Sequence, residues 1–468
     1  MVFSSLVFLW IFLPIVIVFS LIIRRPKFQN LILLAASLIF YAWGEPRYIL
    51  LLIISILFNW IFGLLIDRFR ACAKGFLALD IIANLGLLGY FKYAGFAADT
   101  IRGLFPSLPV PAVSIALPIG ISFFTFQAMS YVIDLYRGDC KVQKNVLSLA
   151  LYISFFPQLI AGPIVKYREI DEQFAERKIT MEGFSMGARR FIYGLGKKVI
   201  ISNLVALGAD QIFGMPWPYM SSAYAWIGAL LYTLQIYYDF SGYSDMAIGL
   251  GRMFGFQFAE NFNYPYTATS IRDFWRRWHI SLSTWFREYL YIPLGGNRKG
   301  KSRTIFNLLV VFFMTGLWHG ASWTFVFWGL FHGFFLIIER IGFGKVLQKL
   351  KGINWIYTFV IVMVGWVFFR ADRLSLGVDM ILRMFQPWKY LTSPIPLMML
   401  AGKYTWIAAI LGIIGFGPVQ MLGKVKNGRL SDLWKGSVAE WIFLAIVHLY
   451  SIILMASNTY NPFIYFRF

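Results

Sequence analysis

Apolar residues run through this chain in blocks close to twenty long, the length a helix needs to cross the hydrocarbon core of a bilayer. The blocks fall at residues 3–23, 29–43, 48–66, 75–91 and 117–135, and again at 145–161, 190–213, 222–238, 305–317, 321–338, 354–369, 404–421 and 440–456. Several are short or interrupted by Gly and Pro. The pattern predicts an all-α, polytopic integral membrane protein with about 11 to 13 membrane helices, some short or re-entrant. Between the blocks, Arg24, Arg25 and Lys27 and then Arg68 to Lys74 are basic, and both loops are expected on the cytoplasmic side. No basic n-region precedes the first block, so the first helix should be retained with its N-terminus outside. No linker separates a second folded domain, and residues 1–468 are expected to form one.

Two stretches put polar residues and helix breakers into apolar surroundings: LIAGPI at 159–164 and YYDFSGYSD at 237–245. Irregular backbone at membrane depth has to be buried in protein or line a cavity, so a central polar cavity or funnel is expected. From Arg272 to Arg303 the chain carries eight cations against Asp273 and Glu288. It opens on a capping-box-like Ser270-Ile271-Arg272-Asp273, with Trp275, Trp278, Leu282, Trp285 and Tyr289 at helical spacing. The expectation is one amphipathic helix at a cytoplasmic interface.

Composition agrees with a bilayer environment. The chain is 59% hydrophobic and only 14% charged, with 47 Phe, 25 Tyr and 17 Trp, whereas about a quarter of a soluble protein is charged. The net charge of +21 is spread over short loops, which suits an anionic membrane lipid surface and lacks the polar basic domain that nucleic acid requires. Cys72 and Cys140 make no CxxC motif and no Cys/His cluster. Neither a disulfide framework nor a metal site is indicated.

Candidate chemistry lies with ionisable groups at membrane depth, which are costly there. His319, in GLWHGASW, has Gly316 and Gly320 on either side, small enough to let a substrate approach the ring, and is the candidate catalytic base. His332 follows by thirteen residues, about 20 Å along a continuous helix, and reads as structural. His279, beside Arg276 and Arg277, is a second candidate, although interfacial histidines are often idle. His448 is assigned to packing. Asp239 and Asp245 each cost about 2.5–3.5 kcal/mol at mid-membrane on insertion scales. They either pair with arginines or shape the polar cavity. Trp275, Trp278 and Trp285 could stack the adenine of a nucleotide-bearing donor while Arg276, Arg277 and Arg287 neutralise its phosphates; an ordinary aromatic belt would look the same. No glycine-rich phosphate loop and no GxSxG elbow is present.

Several long segments resemble the membrane-bound O-acyltransferases of the alginate O-acetyltransferase type. They are MVFSSLVFLWIFLP at the start, LPIGISFFTFQAMSYVIDLYRG (117–138), FPQLIAGPI (156–164), YYDFSGYSDMAIGLGRMFGF (237–256), NFNYPYTATSIRDFWRRWHISLSTWFREYLYIPLGGNR (261–298), FMTGLWHGASWTFVFWGLFHG (313–333) and the ending YNPFIYFRF. The resemblance covers nearly the whole chain. It implies a catalytic core over roughly 117–340, with the active-site histidine at His319 and the second at His279. It further implies a cytoplasmic donor, acetyl-CoA, whose acetyl group is delivered to an acceptor at the outer face, and no permanently bound cofactor. The acceptor would be a cell-surface polysaccharide or an extracytoplasmic SGNH, esterase-like acetyltransferase partner, and the protein would sit in the plasma membrane. D-alanyl transfer to teichoic acid matches less well at the two ends. A polysaccharide-precursor transporter would also need broken helices, but an inverted repeat is missing.

Overall fold

In the computed structural model, residues 1–23, 25–417, 434–457 and 460–464 are described. Arg24, part of residues 404–421 and the final four residues of YNPFIYFRF lie outside them. All regular structure among the described residues is helical. The chain divides into two compact units, residues 1–191 with 246–259, and residues 192–245 with 260–468. Two of the three boundaries cut helices, inside Met181–Gly196 and Ser222–Met253, and the third falls in the non-helical stretch at Ala259 and Glu260.

The first unit contains α1 (Leu13–Ile22), α2 (Pro26–Gly44), α3 (Ile49–Arg68), α4 (Ala73–Leu88), α5 (Ile121–Arg137) and α6 (Val146–Ser154). Its centre is α5, buried from Ile121 to Leu135, with α3 and α4 packed on it. Gly120 and Gly138 bound this helix at φ 77° and 83°, a left-handed conformation open to glycine at little cost. After Gly138 the Asp139 N–H closes on the Asp134 carbonyl at 2.9 Å, a helix stop of the Schellman kind. The LIAGPI segment is non-helical for most of its length and fully buried, as its backbone polarity demands.

The second unit carries α7 (Asn203–Phe213), α8 (Ile271–Arg277), α9 (Ile280–Phe286), α10 (Lys301–His319), α11 (Trp323–Ile338), α12 (Ile353–Arg370), α13 (Lys403–Gly415) and α14 (Val438–Ser457). Among the described residues six helices are long and apolar enough to span a membrane: Ile49–Arg68, Arg70–Leu104, Met181–Phe213, Trp323–Lys349, Ile353–Arg370 and Val438–Ser457. Their outward faces stay apolar, with Ile54, Ile82, Ile446 and Ile453 exposed. Continuous apolar exposure of this kind suits lipid.

Two sequence expectations change here. YYDFSGYSD is regular helix, because Ser222–Met253 runs unbroken through it. Gly242 is a packing glycine instead, since a Cβ there would lie 2.8 Å from the Gly194 carbonyl and 3.0 Å from Lys198 N. The amphipathic helix expected from Ser270 onward is broken into α8 and α9, with His279 between them at φ 45°. Its aromatic face is core: Trp275, Trp278 and Trp285 are all buried.

Candidate active site

Local chemistry explains the break at His279. Ser270 caps α8, its hydroxyl accepting from Asp273 N at 3.0 Å, and α8 stops after two turns. The chain then bends through a left-handed His279, uncommon for a residue with a side chain, and Asn261 holds the bend. The Asn261 carbonyl accepts from Ile280 N at 2.9 Å. Its side-chain Oδ1 accepts from Ser281 N at 3.1 Å, Ser281 Oγ at 2.9 Å and His279 Nδ1 at 3.2 Å.

That arrangement sets the imidazole tautomer. Oδ1 of an amide only accepts, so Nδ1 of His279 carries the hydrogen and Nε2 carries the lone pair. Among the described residues Nε2 has no hydrogen-bond partner. Burial first, and neighbouring His319 second, push the His279 pKa well below the ordinary imidazole value. A neutral ring with a free basic nitrogen is the result.

His319 ends α10 and is 4% exposed. Its ring meets Trp318 and Trp328 edge-on at 5.0 Å each and Phe369 at 5.4 Å. The His279 ring lies 6.3 Å away, centroid to centroid. Beside His319 is a cavity of about 10 Å³ walled by Ile236, Phe240, Trp278, Trp366, Phe369 and Ile464. That is room for about one water. The sequence placed His279 at an interface beside arginines; it is fully buried and faces the same cluster of rings as His319.

Gly316 and Gly320 do not clear a path to His319. A Cβ on Gly316 would strike the Phe325 carbonyl, and one on Gly320 would strike the Phe325 ring. These glycines let α11 fold back against α10 after three residues, the use of small residues wherever membrane helices approach closely. The same hairpin overturns the 20 Å spacing expected for His332. Trp328 bridges the two histidines, 5.0 Å from His319 and 5.3 Å from His332. His332 itself packs among Phe274, Trp275 and Phe331.

Asp239 and Asp245 pair with lysines rather than arginines. Lys197 Nζ lies 2.6 Å from Asp245 Oδ2, and Lys198 Nζ 2.5 Å from Asp239 Oδ1. The other Asp239 oxygen accepts from Ile464 N at 2.8 Å, and Lys198 donates to the Pro462 carbonyl. The buried pair thus clasps the C-terminal segment that supplies Ile464 to the cavity wall. Sequence reasoning missed Asn261 and this clasp, although the doublet Lys197-Lys198 inside an apolar run was a visible signal.

Of the residues expected to hold a donor, Trp275 and Trp278 are covered by other rings. Trp275 meets Phe312, Trp328 and His332, and Trp278 meets Phe262, Phe274 and Trp366. Their rings pack on other rings, and Trp278 also lines the cavity beside His319. Trp285 is buried against Phe286 and Tyr289. Arg277 pairs with Asp273 at 3.0 Å, whereas Arg276 and Arg287 are exposed. Burial pushes the Cys140 thiol up to about 12, which leaves it unreactive.

The class of this all-α membrane protein follows from comparison with known proteins. Residues 141–371 match the family model of the membrane-bound O-acyltransferases, and the chain belongs to that family. It is similar to the probable alginate O-acetylase AlgI of Pseudomonas putida, 41% identical over the full length of both chains. It is also similar to the peptidoglycan O-acetyltransferase of Helicobacter pylori, 38% identical over 80% of this chain and 78% of that one. The teichoic acid D-alanyltransferase of Bacillus subtilis is 30% identical over 64% of this chain and 81% of that one. The protein is therefore a multi-pass membrane O-acyltransferase, and the transporter reading is set aside.

Proposed function

We propose that the protein transfers an acetyl group from acetyl-CoA, taken up at the cytoplasmic face of the plasma membrane, to a hydroxyl of a cell-surface polysaccharide or of an extracytoplasmic esterase-like acetyltransferase partner. The observation that carries the reading is the pair of buried histidine rings 6.3 Å apart, one lining a water-sized cavity, in a chain so similar to O-acetylating relatives. His319 takes the proton of the attacking hydroxyl. The hydroxyl oxygen bonds to the acetyl carbon, the thioester carbon–sulfur bond breaks, and the proton passes to the leaving thiolate. A positioned base of this kind contributes about 10² to 10⁴ in rate. His279, fixed by Asn261 and close enough to face the same reacting centre, shares in it. Exposed Arg276 and Arg287 meet the donor phosphates as they arrive. The N-terminus lies outside. D-alanyl transfer is the weaker reading, because the similarity to that relative covers only 64% of the chain.

The test pairs a cell experiment with a purified one. Cells lacking the protein should lose O-acetyl groups from an envelope polysaccharide, recovered on complementation. Purified protein in nanodiscs should release free thiol from acetyl-CoA, and His319→Ala should not. Thiol release by a folded His319→Ala protein at the wild-type rate refutes the assignment.

A further inference from the structure

A second cavity, about 720 Å³ in volume, lies in the second unit near the middle and far end of α10 from His319. It is within the 300–1,000 Å³ range of small-ligand sites. Arg272, Arg340 and Lys345 stand on its rim, and Leu308, Leu336 and Leu347 form an apolar wall. All three cations are exposed, and none is in an ion pair among the described residues. The one carboxylate in the lining, Glu339, is turned to the backbone, accepting from Ile271 N at 2.7 Å and Arg272 N at 3.1 Å. The cavity therefore has three cations, one apolar wall and a single acid, Glu339, whose oxygens accept from backbone and whose charge acts on Arg272 alone of the three cations.

We propose that this cavity binds a phosphate-ester anion, either the head group of an anionic phospholipid or the phosphate end of a soluble donor. Two arginines provide planar forks that match phosphate oxygens, and Lys345 adds a point charge. Basic pockets between membrane helices take phospholipid head groups by the same physics. Leu308 precedes His319 by eleven residues of one helix, about 16 Å. A ligand held here touches the histidines only through a long, thin arm, so occupancy and chemistry are separable. The donor alternative rests on the function proposed above; the lipid alternative does not.

Full-length protein in phosphatidylcholine nanodiscs is titrated with phosphatidylglycerol and, separately, with free coenzyme A, at low and high salt. At least one probe should bind saturably and more weakly as salt rises. Arg272→Gln, Arg340→Gln and Lys345→Gln together should weaken binding on the order of 100-fold, at roughly fivefold for each basic side chain near an anionic group. The single variant Lys345→Gln, on an exposed side chain, covers the case in which the triple variant fails to fold. His319→Ala should bind as wild type, which separates failure of this site from failure of the catalytic reading. Binding of phosphatidylglycerol alone identifies a lipid site, and binding of coenzyme A identifies the donor's. Binding of neither probe, or binding indifferent to Lys345→Gln and to the triple variant, overturns the proposal.

Discussion

Two cavities of the second unit lie at opposite extremes. The one beside His319 has about 10 Å³ and walls of rings; the one beside Arg272 has about 720 Å³ and a rim of cations. Acyl transfer calls for both kinds of environment, and for keeping them apart. Proton transfer by neutral imidazole gains from a site without water, where electrostatic interactions are less screened. A phosphate cannot enter such a site without a large desolvation cost, so the charge that recognises it belongs elsewhere. The aromatic cavity is too small for an acetyl group and an acceptor together, and Ile464 is the wall with a distinct anchor. Opening the site means moving rings or releasing the clasp on Asp239.

The sharpest way to break this comparison is to remove the histidines. His319→Ala is expected to lower acetyl transfer by about 10² to 10⁴, and His279→Ala by a similar factor now that its ring is found in the same cluster. The double variant should be no slower than the slower single one, since groups acting as a unit are non-additive. Multiplicative losses, measured as thiol release, would show two independent roles. Next in size is Asp239→Ala, which leaves Lys198 buried without its partner. Breaking a buried pair costs about 3–5 kcal/mol, so the midpoint of denaturation should fall strongly, while Asp239→Leu with Lys198→Met should recover much of it. If Asp239→Ala is as stable as wild type, the clasp does not hold the C-terminal segment.

The elements that could be read from the sequence are those governed by local hydrophobicity. The spans at 48–66, 354–369 and 440–456 fall within a residue or two of Ile49–Arg68, Ile353–Arg370 and Val438–Ser457, because membrane helices satisfy their own backbone and need only length and apolarity. What periodicity could not show was where a helix breaks without Pro or Gly. His279 bends because Asn261, eighteen residues earlier, offers acceptors to four donors on three residues, a long-range cause with no local trace. The glycines around His319 were legible as small but not as to what they admit. Phe325 fills the space that a substrate was expected to use.

A smaller effect sharpens the role of that bend. Asn261→Ala removes the acceptor that keeps the hydrogen on His279 Nδ1 and that Ser281 N–H and Oγ also use. Losing such a buried bond costs about 1–3 kcal/mol, and turnover should drop roughly tenfold as the imidazole samples the wrong tautomer. Asn261→Asp keeps the acceptor and should restore most of the orientation. Equal losses in both variants would mean that Asn261 serves the backbone turn alone.

The smallest effect is expected where the charges are fully solvated. Arg276 is exposed, and Arg287 is exposed and 3.2 Å from the carboxylate of Glu288, a neighbouring surface pair of the kind worth about 0–1 kcal/mol. Arg276→Gln with Arg287→Gln should therefore change stability by no more than about 0.5 kcal/mol. Neither side chain reaches the ring cluster, so kcat has no reason to move. Their positive charge can still raise the local concentration of an anionic donor, a screened, long-range effect, so the KM for acetyl-CoA should rise by a few-fold at low ionic strength and converge on wild type in high salt. Steady-state kinetics at two salt concentrations decide the matter. A KM unchanged at low salt would leave donor capture to Arg272, Arg340 and Lys345, whereas a fall in kcat would tie these exposed arginines to the buried site and dissolve the separation between the two cavities.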